Sequence, residues 1–372
     1  MWPPTATGTT ISIRWLQANQ GTEAGQLWKA LEPLGNGGLA CSWDWTDAWL
    51  EHYGDLVPYR FAVGEVQGRP QAIALVTNGV GRKRGPFPVR SIHLGTAGEP
   101  PGEAVFPPYN RILCHEAHRS DFASALVGEL GRESDWHELV LDEFSPEEAE
   151  PFLRAEPMFE TRPDVCPTVD LQAAAAKGSV VATLGSSTRW KIRRALRGLG
   201  DVETEWAETP DDALDILAEL VLLHQARWNR VGQPGVFSSA RFAGFHRDLI
   251  PRLVPKGNVI LFRVRASGET VGCVYHFVER GRVLMYQMGL AAYPDQKVRP
   301  GFVACALAME SAFQRGLLEY DFLAGDSEYK RRLSTSERNV VSASFRRPSL
   351  RWSTIDRLGQ LKRKAAGGIR LH

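Results

Sequence analysis

Two antiparallel meanders, one in each half of the chain, constrain the fold more than any other feature of this sequence. In the second half three apolar runs, 259–266, 270–279 and 282–290, are separated by Ser267-Gly268-Glu269 and by Gly281, turn formers at hairpin spacing. In the first half residues 58–66 and 72–76 flank Gln67-Gly68-Arg69-Pro70, and 92–94 adds a third short strand. Helical patterns precede each meander. Leu27, Leu31, Trp45, Trp49, Leu50 and Tyr53 recur at helical spacing up to Gly54. Pro210 opens a helix over 211–229 with Leu214, Leu217, Leu220 and Val221 on one stripe, and a second helix covers 239–253. A helix and then a strand follow each meander, at 122–130 and 137–141 and again at 302–315 and 318–323. The order helices, hairpin, helix, strand thus occurs twice, which predicts an internal duplication with no residue-level repeat.

A chain of 372 residues suits two domains, each large enough to bury a core. Residues 142–168, rich in proline and acids, read as a surface connection and set the expected boundary. The expected units are 1–160, 165–345 and a basic tail, 346–372. Lysine and arginine number 44 against 43 acidic residues, a net charge of +1, so nothing global points to nucleic acid or a membrane surface. Two local exceptions stand. One is the helix face carrying Arg189, Lys191, Arg193, Arg194 and Arg197; the other is the tail. Each suits an anionic partner such as RNA or a glycolipid headgroup, or a solvated face. Cys41, Cys114, Cys166, Cys273 and Cys305 lack the spacing of a zinc or thioredoxin site and read as buried thiols, so no metal is expected. The start, Met1-Trp2-Pro3-Pro4, lacks the pattern of a signal peptide, and no apolar run spans a bilayer, so a cytoplasmic location without a transmembrane segment is expected.

The stretch from Arg299 to Lys330 holds the chemistry. Arg299-Pro300-Gly301-Phe302 opens a helix; Pro300 costs no hydrogen bond there, and Gly301 lets backbone amides approach an anion, with Lys297 and Arg299 adding charge. An ordinary helix cap in a basic loop fits the same residues. Asp321 lies between Tyr320 and Phe322, so alternation turns it to the opposite face, where a buried carboxylate needs a partner or a raised pKa. It reads as an acid/base or as a structural aspartate. Asp326, Glu328, Tyr329 and Lys330 follow the strand end, where α/β proteins gather ligands. On the helix before the second meander His224 and Trp228 share a face beside Arg227. The imidazole suits proton abstraction or packing.

Leu223-His224-Gln225-Ala226-Arg227-Trp228, the run 272–277, Arg299-Pro300-Gly301 and Tyr320-Asp321-Phe322-Leu323-Ala324-Gly325-Asp326-Ser327-Glu328-Tyr329-Lys330 resemble the BioF-like or CelD-type acetyltransferase domain of the GNAT superfamily, over about residues 165–345. The duplicated order is similar to the Fem-type aminoacyl transferases, two GNAT-like domains in one chain. The resemblance implies a mixed α/β fold of tandem GNAT-like domains, each a mostly antiparallel twisted sheet flanked by helices. It implies an N-acyltransferase taking acetyl-CoA or another acyl-CoA as donor, with a small-molecule or glycan amine as acceptor, in cell-envelope or exopolysaccharide synthesis. Asp321, His224 and Tyr329 are the catalytic candidates. Gly289, Lys297, Arg299, Gly301 and Phe302 would hold the donor, Gly289 by placing a backbone donor for the oxyanion at Met288-Gly289-Leu290. Arg227, Trp228, Asp326 and Lys330 would meet the acceptor. Lys297-Val298-Arg299-Pro300-Gly301-Phe302 carries a single glycine where the simple enzymes have a longer glycine motif. The alternatives are transfer from aminoacyl-tRNA and a non-catalytic GNAT-like binding protein.

Overall fold

The computed structural model describes residues 11–347 except 36, 85, 86, 296 and 326; Asp326 and nearly all of the basic tail lie outside the described residues. The first half runs β1 (Ile11–Gln17), α1 (Gly21–Leu31), α2 (Trp43–Tyr53), β2 (Tyr59–Val66), β3 (Arg69–Asn78), the small hairpin β4 (Lys83–Arg84) and β5 (Phe87–Pro88), β6 (Ser91–Leu94), β7 (Leu113–Cys114), α3 (Arg119–Arg132), β8 (Glu138–Phe144), α4 (Pro146–Ala155) and β9 (Glu160–Asp170). The second half follows with α5 (Ser186–Leu199), β10 (Val202–Trp206), α6 (Pro210–Arg230), α7 (Ala240–Leu253), β11 (Val259–Ala266), β12 (Glu269–Glu279), β13 (Arg282–Leu290), α8 (Pro300–Gln314), β14 (Glu319–Asp321), α9 (Glu328–Leu333) and β15 (Ser336–Arg346).

Local chemistry accounts for most of these boundaries. Gln67 and Gly68, with positive φ, make the tight turn between β2 and β3, and Ser267 and Gly268 repeat it between β11 and β12. Thr209 caps α6 in a reciprocal box with Asp212, and Ser239 caps α7 through the Phe242 amide.

One 13-stranded sheet joins both halves, in the order β1-β2-β3-β6-β8-β15-β9-β14-β13-β12-β11-β10, with β7 beside β3. Within it β1, β2, β3 and β6 pair antiparallel and β6 pairs β8 parallel; β10, β11, β12 and β13 pair antiparallel and β13 pairs β14 parallel. The duplication is therefore longer than the expected order, since in each half a strand, β1 or β10, precedes the helices before the meander, and a helix and a further strand follow the last predicted strand. That last strand changes sides: β9 pairs with β14, β15 pairs with β8, and β9 and β15 pair with each other. The mostly antiparallel sheets of the two halves are thus joined into one.

Residues 160–168, expected to belong to a surface connection, form most of the central strand β9. Its prolines hide it. The Phe322 amide donates to the Pro167 carbonyl at 2.9 Å, so odd-numbered residues of β9 face β14, which pairs only with 168–170. Pro163 and Pro167 thereby turn their missing N–H toward an edge that carries no ladder.

Helices α1, α2, α6 and α7 cover one face of the sheet, with Trp28, Trp45, Trp49, Phe245, Leu249, Tyr275 and Phe277 in a single core that crosses between the halves. On the other face α5 and α8 close over Phe262, Val274 and Tyr320, and α3 and α4 close over Val76, Leu94 and Leu141. Since β11 and β12 are buried on both faces, they read as nearly continuous apolar runs. No helix among the described residues is long and apolar enough to cross a membrane.

Candidate active site

The parallel pair β13/β14 holds for only three residues, Arg282 to Leu284 against Glu319 to Asp321, after which β13 continues to Leu290 and β14 stops. Between Tyr275 and His276 the β12–β13 register shifts, leaving Tyr286 as an extra residue in β13. Such a bulge turns a strand away from its neighbour. A V-shaped opening results, at the carboxyl ends of two parallel strands, where α/β proteins place ligands.

Helix α8 begins at this opening. Arg299 stands before it in the left-handed region (φ 44°), and the Arg299 side chain makes no capping hydrogen bond. A Cβ on Gly301 would lie 3.1 Å from Leu290 Cδ1, so glycine lets the helix start close against the end of β13. Lys297 and Arg299 are exposed, whereas Phe302 is buried with its ring 5.6 Å from the Arg299 guanidinium. Glu328 of α9 titrates below its usual range, mainly through its hydrogen bond with Arg332, with Lys191 of α5 and Arg299 adding to the effect. Lys191, Arg299 and Arg332 thus act together on the Glu328 carboxylate, and the α8 N-terminus, with Arg299 just before it, itself favours anions.

Gly289 is packed from the other side. Its Cβ would fall 2.3 Å from the Leu220 carbonyl oxygen, so the glycine admits the backbone of α6 against β13. At the far wall, Tyr329 is half-buried with its ring against Phe322; burial raises its phenol pKa, and nearby Arg227 opposes that. Lys330 Nζ donates to the carbonyls of Leu323 (3.1 Å) and Ala324 (2.8 Å). Burial lowers its pKa, against the attraction of Cys166 and Asp321. Gly301 thus packs on the end of β13, Arg227 lies near Tyr329, and Lys330 folds back onto the chain that leaves β14.

Asp321 lies at the base of the V and is wholly buried. Its Oδ2 accepts from Tyr109 Oη at 2.5 Å and its Oδ1 from the Leu323 amide at 2.7 Å. Burial raises its pKa, while those two donors and Arg282 hold the shift in check. Tyr109 comes from the first half and carries the Arg282 guanidinium 4.3 Å from its ring centre. Tyr286 Oη donates to the Val105 carbonyl of the same loop. Tyr109, Tyr286 and Arg282 were absent from the sequence candidates because each acts through a partner distant along the chain. His224 has both ring nitrogens engaged, Nε2 accepting from the Trp228 indole at 2.9 Å and Nδ1 meeting Gln225 Oε1 at 3.0 Å. Burial lowers its pKa, so it is neutral at pH 7. All five cysteines are buried and free.

Eight of the described non-glycine residues have positive φ; Gln67, Ser267 and Arg280 sit in hairpin turns, while Arg299 precedes α8, Leu323 follows β14 and Tyr109 bonds to Asp321. Strain of this kind is held by well-packed surroundings and concentrates at functional sites. A cleft of about 910 Å³ opens at the other end of β13 and β14, lined by Arg282 and Glu319. Its charges are largely paired, Arg338 with Glu319 and Arg111 with Glu279, which makes it a salt-bridged seam between the halves.

Comparison with known proteins agrees with this geometry. The family described as the acetyltransferase (GNAT) domain matches residues 186–331. The structure of FemX is similar with a TM-score of 0.57 at 11% identity, over 91% of this chain and 98% of that one. The structure of L-PGS from Bacillus licheniformis is similar with a TM-score of 0.55 at 10% identity, over 89% of this chain and 94% of that one. No curated protein matches by sequence. Residues 186–331 are an acetyltransferase domain of the GNAT superfamily, within a chain that is laid out like FemX along nearly its whole length.

Proposed function

We propose that this acyltransferase moves an acyl group from acyl-CoA directly to a small-molecule or glycan amine, with the donor bound in the V of the second half. The observation that carries this reading is the N-terminus of α8, packed through Gly301 against Leu290 at the open end of β13, with Arg299 just before it and Arg299 and Lys191 both acting on Glu328 of α9. The pyrophosphate of coenzyme A would take the Gly301 amide and those side chains, with Lys297 at the rim. The acyl carbonyl would lie along β13 near Met288 to Leu290, where a backbone donor stabilises the oxyanion. A protonated Tyr329 can return a proton to the departing thiolate, because burial keeps its phenol neutral at working pH. Arg227, Trp228 and Lys330 line the acceptor side. We assign His224 to holding Trp228, since both of its nitrogens are used, and Asp321 to fixing Tyr109 at the base of the V. The acceptor would be an amino sugar or other amine of cell-envelope or exopolysaccharide synthesis.

Thermal shift and calorimetry with acetyl-CoA, longer acyl-CoAs and an RNA control test the donor. Stabilisation by an acyl-CoA that is lost in Gly301→Glu is expected, because the new side chain would start 3.1 Å from Leu290 Cδ1 and bring a negative charge that repels the phosphates. A protein indifferent to every acyl-CoA but stabilised by RNA would replace this reading with transfer from aminoacyl-tRNA.

A further inference from the structure

The first half contains its own parallel pair, β6 and β8, and a cavity of about 290 Å³ lies beside it, lined by Ser91 and His93 of β6, Asp142 of β8, and a largely apolar wall that includes Val80, Ala97 and Phe106. Ser91 Oγ is 2.9 Å from His93 Nε2, and His93 Nδ1 is 2.6 Å from Asp142 Oδ2. An ionised Asp142 can only accept, so Nδ1 carries the proton and Nε2 is left to accept from the serine hydroxyl. Burial disfavours the Asp142 charge, yet His93, Arg82 and Arg162 together outweigh this and the carboxyl titrates below its usual range. This connectivity, serine to Nε2 and Nδ1 to carboxylate, is the one by which an imidazole takes the proton of an attacking serine on several unrelated folds and in different chain orders.

We propose that Ser91, His93 and Asp142 form a second catalytic centre, which hydrolyses short-chain acyl esters or thioesters through an acyl-serine. Ser91 Oγ bonds to the carbonyl carbon as its proton passes to His93 Nε2. The bond to the leaving alcohol or thiol then breaks, and His93 returns the proton to it. Solvent water attacks the acyl-serine, His93 takes its proton, and the carboxylic acid departs as Ser91 regains its hydrogen. No oxidant or reductant is required. Asp142 is a positioning residue that holds the imidazole tautomer. The apolar wall suits an acyl chain of a few carbons, and Arg82, which lines the same cavity and pairs with Glu138 at 2.5 Å, adds a positive charge to it. A spacer of one residue puts Ser91 and His93 on the same face of β6, away from Ile92 and Leu94, which enter the core under α3.

A fluorophosphonate ester, which captures only an activated serine, tests this on the unmodified full-length protein. Expected is covalent labelling that peptide mass spectrometry maps to Ser91, together with turnover of p-nitrophenyl acetate. Labelling should vanish in Ser91→Ala and fall at least 100-fold in rate in His93→Gln, with Asp142→Asn lowering the rate and altering its pH profile. Melting of each variant at the wild-type temperature confirms that it is folded. Wild-type protein that stays unlabelled, label at another residue, or an undiminished labelling rate in a folded His93→Gln would overturn the proposal. Loss of acyl-CoA binding in the second half would leave it untouched, because the two sites share none of the residues named.

Discussion

At the scale of single residues, the Tyr109–Asp321 bond decides how the two halves meet at the site. Removing the phenol leaves a fully buried carboxylate with one donor fewer, and Tyr109→Phe should cost about 1–3 kcal/mol, the usual penalty for an unsatisfied buried group. The pH dependence has a definite sign. Burial raises the Asp321 pKa in the folded protein, so between the ordinary carboxyl range and the raised value the folded state binds more protons than the unfolded one. Stability from this group therefore falls as pH rises through that window, and losing Tyr109 raises the folded pKa further. Urea titrations of both proteins should show the gap widening from pH 4 to pH 7. A gap that is constant with pH would mean that Tyr109 contributes by packing alone. This bond was illegible in the sequence because its partners are 212 residues apart and Tyr109 belongs to an irregular loop. The site's own strand end was legible, since Asp321, Tyr329 and Lys330 are local to a strand whose alternation is clear.

At the scale of elements, legibility followed the range of the contacts. Hairpins β2–β3 and β11–β12 are specified by adjacent turn residues, α6 by its Thr209 cap and α8 by Pro300 at its first position, so their signals lie within a few positions. Strands β1, β9, β10 and β15 were missed. Each takes its place from a distant partner or an edge, and β9 carries prolines that only an unpaired edge accommodates. Gly289 shows how tightly one element can depend on another. A methyl group there would meet the Leu220 carbonyl at 2.3 Å, which is backbone and cannot rotate away, so α6 would have to lift from β13. Gly289→Ala should cost about 1–3 kcal/mol, typical of overpacking. Because α6 also carries Arg227 and Trp228, the same variant should weaken acyl-CoA binding even below its melting temperature. Normal affinity in a destabilised Gly289→Ala protein would separate the packing role of this glycine from any role in the donor site.

At the scale of the whole molecule, the exchange of β9 and β15 turns two similar halves into one sheet. Each half completes its strand set with a strand from the other, and the core above repeats the arrangement. Trp45 of α2 is fully buried, its indole bonded to Thr96 at 2.7 Å and its ring packed 5.2 Å from Phe245 of α7 and 5.3 Å from Phe277 of β12. The buried pair Arg111–Glu279 crosses the same boundary. With the ladder and the core both shared, neither half can lose its structure without exposing the other's interior. Thermal unfolding, followed by far-ultraviolet circular dichroism and by tryptophan fluorescence, should therefore show one coincident transition. Trp45→Ala, a large-to-small change worth about 3–5 kcal/mol, should move that single transition down without splitting it. Two separated transitions, with only the first-half step displaced, would show that the halves fold independently and that the crossing strands add little to their cohesion.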